Sequence, residues 1–404
     1  MNRLSISNFG PVKDAILELR SINLLIGEQS IGKSTIAKLI AIFTDNVSLS
    51  TIAGNGIKTW KGRLKFYDLD IFCDDEYRIE YEFEDKVFHL IMTVTKSRVS
   101  TRLFERGVLI KDKKLVSQKI IYMRSIFKRK EILEALYNEL VKSKGEEEDL
   151  GYLALSLQSI LESSLYVPAE RIAYSIIDNL RSAFSLIGDS SSFTYRRFMV
   201  GFDKAKSRLQ QYDSPLLKIK YLNEENGQFF VDYSSQKKYH LFNASSGIQS
   251  ALPLLVVLED AKNRDYSSIV IEEPETNLFP NTQVAVLKLI LEKARANGRI
   301  VTITTHSPYL LSAFNNYLYA GIVAKNVDKA QVKDLDDILP SKYRLDAADC
   351  SVYSIGQSIN SDGNYCSSLI TDFGMIDSNS LDSISFDMSN EFEALQDFYL
   401  KNSR

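Results

Sequence analysis

Cysteine is scarce: the chain of 404 residues has three, Cys73, Cys350 and Cys366, with no C-x-x-C pair. An odd, scattered set argues against a disulfide framework or a zinc site and makes a reducing cytoplasm the expectation. Histidine is equally scarce, three residues in all, which leaves little room for a histidine-rich metal centre. No run reaches the roughly 18 uninterrupted apolar residues of a membrane span. Met1-Asn2-Arg3-Leu4 leads into no apolar signal-peptide core, so no membrane partner is expected. An excess of one charge is also missing. Lys and Arg number 49 against 52 Asp and Glu, a net charge of -3. This excludes a broadly basic nucleic-acid coat but leaves room for a local basic groove. Internal repeats and long heptad arrays are absent.

The pattern along the chain alternates between strand-like and helix-like segments. Residues 3–26 read as strands around Gly10-Pro11, ending in the short apolar run Ile22 to Ile26. A glycine-bounded loop and a helix from Lys33 to about Phe43 follow. Several strands are expected over 64–122. Residues 126–166 read as helical with a solvated corner at Gly145 to Asp149, and 170–215 as mostly helical. Short strands surround Asn226-Gly227. The spacing then predicts a helix over Ile248 to Ala261, a buried strand over Ser268 to Ile271, and an amphipathic helix over Asn281 to Ala296. A strand over Arg299 to Thr304 follows, and a helix opens at Ser307-Pro308. Such alternation implies an α/β fold with a parallel sheet covered on both faces. Residues 321–404 carry a weaker pattern, with a Ser/Asp-rich stretch at 376–389.

Four motifs carry chemistry. Gly27-Glu28-Gln29-Ser30-Ile31-Gly32-Lys33-Ser34, with Thr35 behind it, is G-x-x-x-x-G-K-[ST] between a strand and a helix. Its N–H groups and the helix N-terminus would cradle phosphates, so Gly27, Gln29, Ser30, Gly32, Lys33, Ser34 and Thr35 form a candidate nucleotide site. Lys33 would reach the β- and γ-phosphates of ATP, and the Ser34 hydroxyl would ligate Mg²⁺. Ser268-Ile269-Val270-Ile271 delivers Glu272 and Glu273 to a strand's C-terminal end, where open α/β sheets bind ligands. Glu272 could hold the metal and Glu273 polarise an attacking water, although a solvated acidic turn would read the same. His306, in Thr304-Thr305-His306-Ser307-Pro308, could touch the γ-phosphate and the water, or be incidental to a capping turn. Ser245-Ser246-Gly247 opens a helix; Ser246 and Gly247 could form an anion site or a plain cap.

The order of these motifs resembles the ABC-type ATPase head, and more narrowly the SMC, RecF and OLD-like ATPases. The opening ISNFGPVKDAILEL is similar to the first strands of that group. Tyr166-Val167-Pro168-Ala169-Glu170-Arg171 resembles the Y-x-P-A-E-R element of bacterial anti-phage ATPases such as the Septu and PARIS subunits, and IEEPETNLFP resembles their acidic-strand segment. The resemblance covers residues 1–45 and 160–320. It implies an ABC-type head with a mixed sheet core and a helical insertion subdomain. Its lobes would be 1–45 and 166–320, separated by an inserted strand and helical region at 46–165 and followed by a C-terminal extension at 321–404. It implies ATP hydrolysis with Mg²⁺, Glu273 and His306 as catalytic groups, and Ser34 and Glu272 at the metal. It further implies a homodimer through ATP-sandwiched heads, or a higher homo-oligomer, acting as sensor or scaffold for a separate effector, a nuclease, in anti-phage defence. A DNA contact, a RecF-like repair ATPase and a nucleotide-locked scaffold remain alternatives. Four positions depart from the family pattern: Ile248 for glycine, Glu272 for aspartate, Ser30 for glycine and Phe279 for histidine. The glutamine loop of such heads is expected between 60 and 125, with Gln118 as the candidate.

The remaining features read as structural. Asp68, Asp70, Asp74, Asp75 and Glu76, and separately Asp334, Asp336 and Asp337, suit solvated loops better than a two-metal nuclease. The tail after 320 is too short for a TOPRIM nuclease module. Trp60 and Tyr67 among lysines suit core aromatics with snorkelling cations. Lys128-Arg129-Lys130 and the Lys218, Lys220 pair suit a charged helix face and a strand edge.

Overall fold

The computed structural model describes residues 2–122, 164–177, 192–264, 266–294, 298–328, 331–356, 365–377 and 388–396. The helical reading of 126–166 therefore lies outside the described residues up to 163, as do the corner at 145–149, the Lys128-Arg129-Lys130 spot and most of the Ser/Asp-rich stretch.

The chain opens with a hairpin of β1 (Asn2–Phe9) and β2 (Val12–Glu18), then β3 (Ile22–Ile26). Helices α1 (Lys33–Thr44), α2 (Asn46–Asn55) and α3 (Ile57–Phe66) follow. Strands β4 (Arg78–Glu84), β5 (Phe88–Thr95), β6 (Val99–Glu105) and β7 (Val108–Ile110) lead to α4 (Lys113–Tyr122). Next come β8 (Ser164–Val167), α5 (Ile172–Ile176) and α6 (Phe193–Leu209). Then β9 (Gln211–Ser214), β10 (Ile219–Glu224), β11 (Gly227–Asp232) and β12 (Lys238–His240) precede α7 (Ser246–Ala261). The last elements are β13 (Ser268–Glu272), α8 (Pro280–Ala294), β14 (Ile300–Thr305), α9 (Pro308–Asn326), α10 (Gln331–Ile338), β15 (Cys350–Ile355) and β16 (Cys366–Ser368).

The core sheet has the order β16-β15-β3-β14-β13-β8. All its neighbours run parallel except the β15–β16 edge pair. Every residue of β3, β13 and β14 is buried, as strands covered on both faces require. Their C-terminal ends share one edge, so the loops after Ile26, Glu272, Thr305 and Val167 open side by side. A six-stranded antiparallel sheet, β2-β1-β4-β5-β6-β7, forms the second layer, and β12-β11-β10-β9 forms a third sheet. The expected α/β class with a mixed core sheet is the one observed, while most of the expected helical insertion lies outside the described residues. Phe43 of α1 joins two layers: its ring packs 5.6 Å from Trp60 and 5.3 Å from Tyr81. A fully buried side chain of this size contributes about 1.5–3 kcal/mol by leaving water.

Three readings change. Residues 113–122 are helical, not strand: Val116 and Ile120, four apart, are buried, and Ser117 bonds to Ser50 of α2 at 2.8 Å. Gln118 is exposed on that helix, so it supplies no loop at the sheet edge. Residues 211–214 leave the helix for β9, because Gln210 takes a left-handed φ of 55° that ends α6. The tail joins the core, since β15 lies parallel to β3 with Val352 opposite Leu24. Among the described residues no single helix is long and apolar enough to cross a membrane.

Candidate functional site

The phosphate loop lies between β3 and α1. Gly32 sits at the helix start with φ 96°, and an added Cβ would come within 3.0 Å of the Tyr365 hydroxyl and Val12. Ser30 has φ 62°, a left-handed conformation that favours glycine. Gln29, Ser30 and Ser34 are exposed, whereas Gly27, Gly32, Lys33 and Thr35 are buried. The Lys33 ammonium folds back onto its own loop. It donates to the Gly27 carbonyl at 2.8 Å and to the Glu28 carbonyl, and lies 3.5 Å from His306 Nδ1. Burial brings its pKa down to about 8, against the pull of Glu273, Glu275, Glu272 and Glu28.

Opposite stand three carboxylates. Glu272 closes β13, buried, and its Oε1 makes no hydrogen bond. Burial pushes its carboxyl up, opposed by the Ser34 and Tyr166 hydroxyls. Glu273 has a left-handed φ of 41°. Its N–H donates to Thr304 O at 3.0 Å, and its Oε1 lies 3.0 Å from His306 Nε2. Lys33, His306 and Glu273 thus form one chain; Lys33 donating to Nδ1 leaves Nε2–H to donate to Glu273. The His306 hydrogen bond holds the Glu273 carboxyl below its ordinary range despite burial, helped by the Lys33 and Arg171 charges. Glu275 accepts from the Thr305 hydroxyl and the His306 N–H, both at 2.7 Å. Its Oε2 has no partner, and burial raises its pKa.

The sheet edge therefore brings together Lys33, Ser34, Glu272, Glu273 and His306, all named from sequence. Glu275 and Arg171 were missed as site residues. Glu275 lies within the acidic motif, and Arg171 within the Y-x-P-A-E-R element. Ser246 stands apart: it is exposed at the start of α7, where a Cβ on Gly247 would sit 3.0 Å from Asn277 O, in the loop beyond Glu275. Among the described residues no hydrogen bond joins Ser245 to Ile248 with the phosphate loop. Phe279, in the same loop, and Tyr309, behind His306, are large apolar side chains left 73% and 51% exposed. Two of the other acidic residues, Asp68 and Asp336, have structural duties. Asp68 caps α6 by accepting from the Phe193 and Thr194 N–H groups at 2.8 and 3.1 Å, and Asp336 pairs with Arg344 at 2.7 Å. Trp60 and Tyr67 are buried.

A family model described as "AAA domain, putative AbiEii toxin, Type IV TA system" matches residues 22–312, most of the chain and all four motifs. The chain belongs to this family. Within the matched AAA domain, the phosphate loop, the acidic turn and the histidine follow adjacent strands of one sheet. Among solved structures it is similar to an SMC head bound to the C-winged helix domain of ScpA (12% identity, 77% of this chain and 90% of that chain, TM-score 0.40). It is also similar to the SMC head domain from Thermotoga maritima (12%, 77% and 90%, TM-score 0.37) and to the recombination mediator RecF (15%, 76% and 92%, TM-score 0.32). No curated protein matches the chain.

Proposed function

We propose that this AAA domain hydrolyses ATP at the shared edge of β3, β13 and β14. One observation carries the reading: the Lys33–His306–Glu273 chain lies beside the buried Glu272, whose Oε1 has no partner. On ATP binding, Lys33 exchanges the Gly27 and Glu28 carbonyls for phosphate oxygens, and the N–H groups from Gly27 to Ser34 cradle the phosphates. An orphaned buried carboxylate oxygen beside a serine hydroxyl fits a hard cation, so Ser34 and Glu272 would hold Mg²⁺. Bound there, the ion neutralises phosphate charge. Glu273, kept ionised, orients the attacking water and accepts its proton, while His306 fixes that carboxylate so that the water lies between it and the γ-phosphate.

Ser246, exposed, and Gly247, half-buried, open α7 beside the loop that follows Glu275. We assign them to the γ-phosphate of a second copy, with Phe279 and Tyr309 in the interface, making a homodimer with two shared sites. The head then comprises 1–45, 166–320 and the β15–β16 edge, joined by β4–β7 of the 46–165 region, which continue the β1–β2 sheet. The family's description as an AbiEii toxin of a type IV TA system supports a defence role, in which this chain gates a separately encoded effector. Lys33→Ala is expected to abolish ATP binding. Glu273→Gln is expected to keep binding and slow hydrolysis at least ~100-fold. Wild-type turnover by Glu273→Gln would remove the assignment.

A further inference from the structure

Arg171 is 1% exposed, and all the partners of its guanidinium are main-chain carbonyls. Nε donates to Ser250 O at 3.2 Å. One terminal nitrogen donates to Pro168 O at 2.6 Å and Glu272 O at 2.7 Å, and the other to Glu273 O at 2.8 Å. The fork therefore spans three elements: its own loop after β8, the helix α7 that starts at Ser246, and the turn that carries Glu273. That turn needs holding. Glu273 adopts φ 41°, a conformation costing an L-residue about 1–2 kcal/mol, and such strain persists only where surrounding bonds over-determine it. Arg171 bonds both carbonyls that flank the strained Glu273 nitrogen-to-carbonyl unit. Only a planar, five-donor group can reach all four oxygens.

The contact with α7 is built as carefully. Pro253 lies inside the helix, and having no N–H it leaves the carbonyl of Gln249 without its helical partner. The Ser175 hydroxyl donates to that carbonyl at 2.6 Å, one turn along α5 from Arg171. The 171–175 segment thus docks on the proline break and reaches the acidic turn from there.

We propose that Arg171 is a positioning residue that fixes the Glu273 turn against α7, so that the seating of the Ser246 helix sets the aim of the Glu273 carboxylate. The inference rests on the ATPase reading above and assigns a role to the arginine of the Y-x-P-A-E-R element. Arg171→Lys keeps the charge but not the fork. Its kcat is expected to fall on the order of 30- to 100-fold, the scale of a reacting group misplaced by about an ångström. ATP affinity, measured by direct titration, should stay within about 3-fold, because no phosphate-binding group is touched.

A double-mutant cycle separates positioning from general damage. Arg171→Lys added to Glu273→Gln should slow hydrolysis no further, because the group being aimed has already gone. Arg171→Met, which fills the volume without a buried charge, repeats the cycle if the lysine variant does not fold. Near-wild-type kcat in a folded Arg171 variant overturns the proposal. So does a full additional loss in the double variant, and so does failure of both variants to fold, which makes Arg171 a folding residue only. Wild-type hydrolysis by Glu273→Gln instead removes the ATPase assignment of Glu273 and leaves a different signature.

Discussion

Each site residue was legible where its chemistry is carried by local sequence. Lys33 follows from the spacing of Gly27 and Gly32, and Glu272 and Glu273 from an apolar run that stops on two carboxylates. His306 was readable from its place at the end of the predicted strand Arg299 to Thr304. Glu275 and Arg171 were not, because their duties are set by partners distant in sequence: Thr305 and His306 for one, Ser250 and Glu272 for the other. The departure at Ser30 now has a physical meaning. With φ at 62°, serine bears a strain of about 1 kcal/mol that glycine escapes. Ser30→Gly should keep ATP affinity and raise stability slightly in thermal melts. Ser30→Val, β-branched, should weaken ATP binding roughly 10-fold, since about 1–2 kcal/mol opposes the bound loop. Valine binding as tightly as serine in a nucleotide titration would mean that the loop does not need this conformation.

At the scale of elements, the buried strands β3, β13 and β14 announced themselves as apolar runs, and α1, α7 and α8 by their helical spacing. Strand β15 did not. Its sequence, Cys350-Ser351-Val352-Tyr353-Ser354-Ile355, is interrupted by two serines within a stretch of weak pattern, yet it is wholly buried. The Ser351 hydroxyl is satisfied by Glu18 O at 2.7 Å and the Tyr353 hydroxyl by the Glu18 N–H at 2.7 Å, contacts that local patterning cannot register. Helix α4 was misread because an apolar pair beside a turn suits either period. The break in α7 supplies an element-scale test. Ser175→Ala orphans the buried Gln249 carbonyl and should cost about 1–3 kcal/mol in denaturant unfolding. Pro253→Ala restores an N–H to that carbonyl, so in the double variant the loss should be largely recovered. An undiminished loss in the double variant would show that the serine acts elsewhere.

On the scale of the whole molecule, a parallel sheet presents the phosphate loop, the acidic turn and the histidine at one edge, while the Ser246-Gly247 helix start opens to solvent beside it. Apolar Phe279 and Tyr309 flank that edge. These placements support a site completed by a second copy, and motif spacing alone could not place them. The most direct test is complementation in an ATPase assay. Ser246→Arg puts bulk where the partner's phosphate must sit, sparing nucleotide binding but stopping hydrolysis; Lys33→Ala loses binding. Mixed in equal amounts, the two inactive proteins should regain roughly a quarter of wild-type turnover, from one intact site in each mixed dimer. No recovery, with mixed dimers demonstrated by mass measurement, would contradict the shared site.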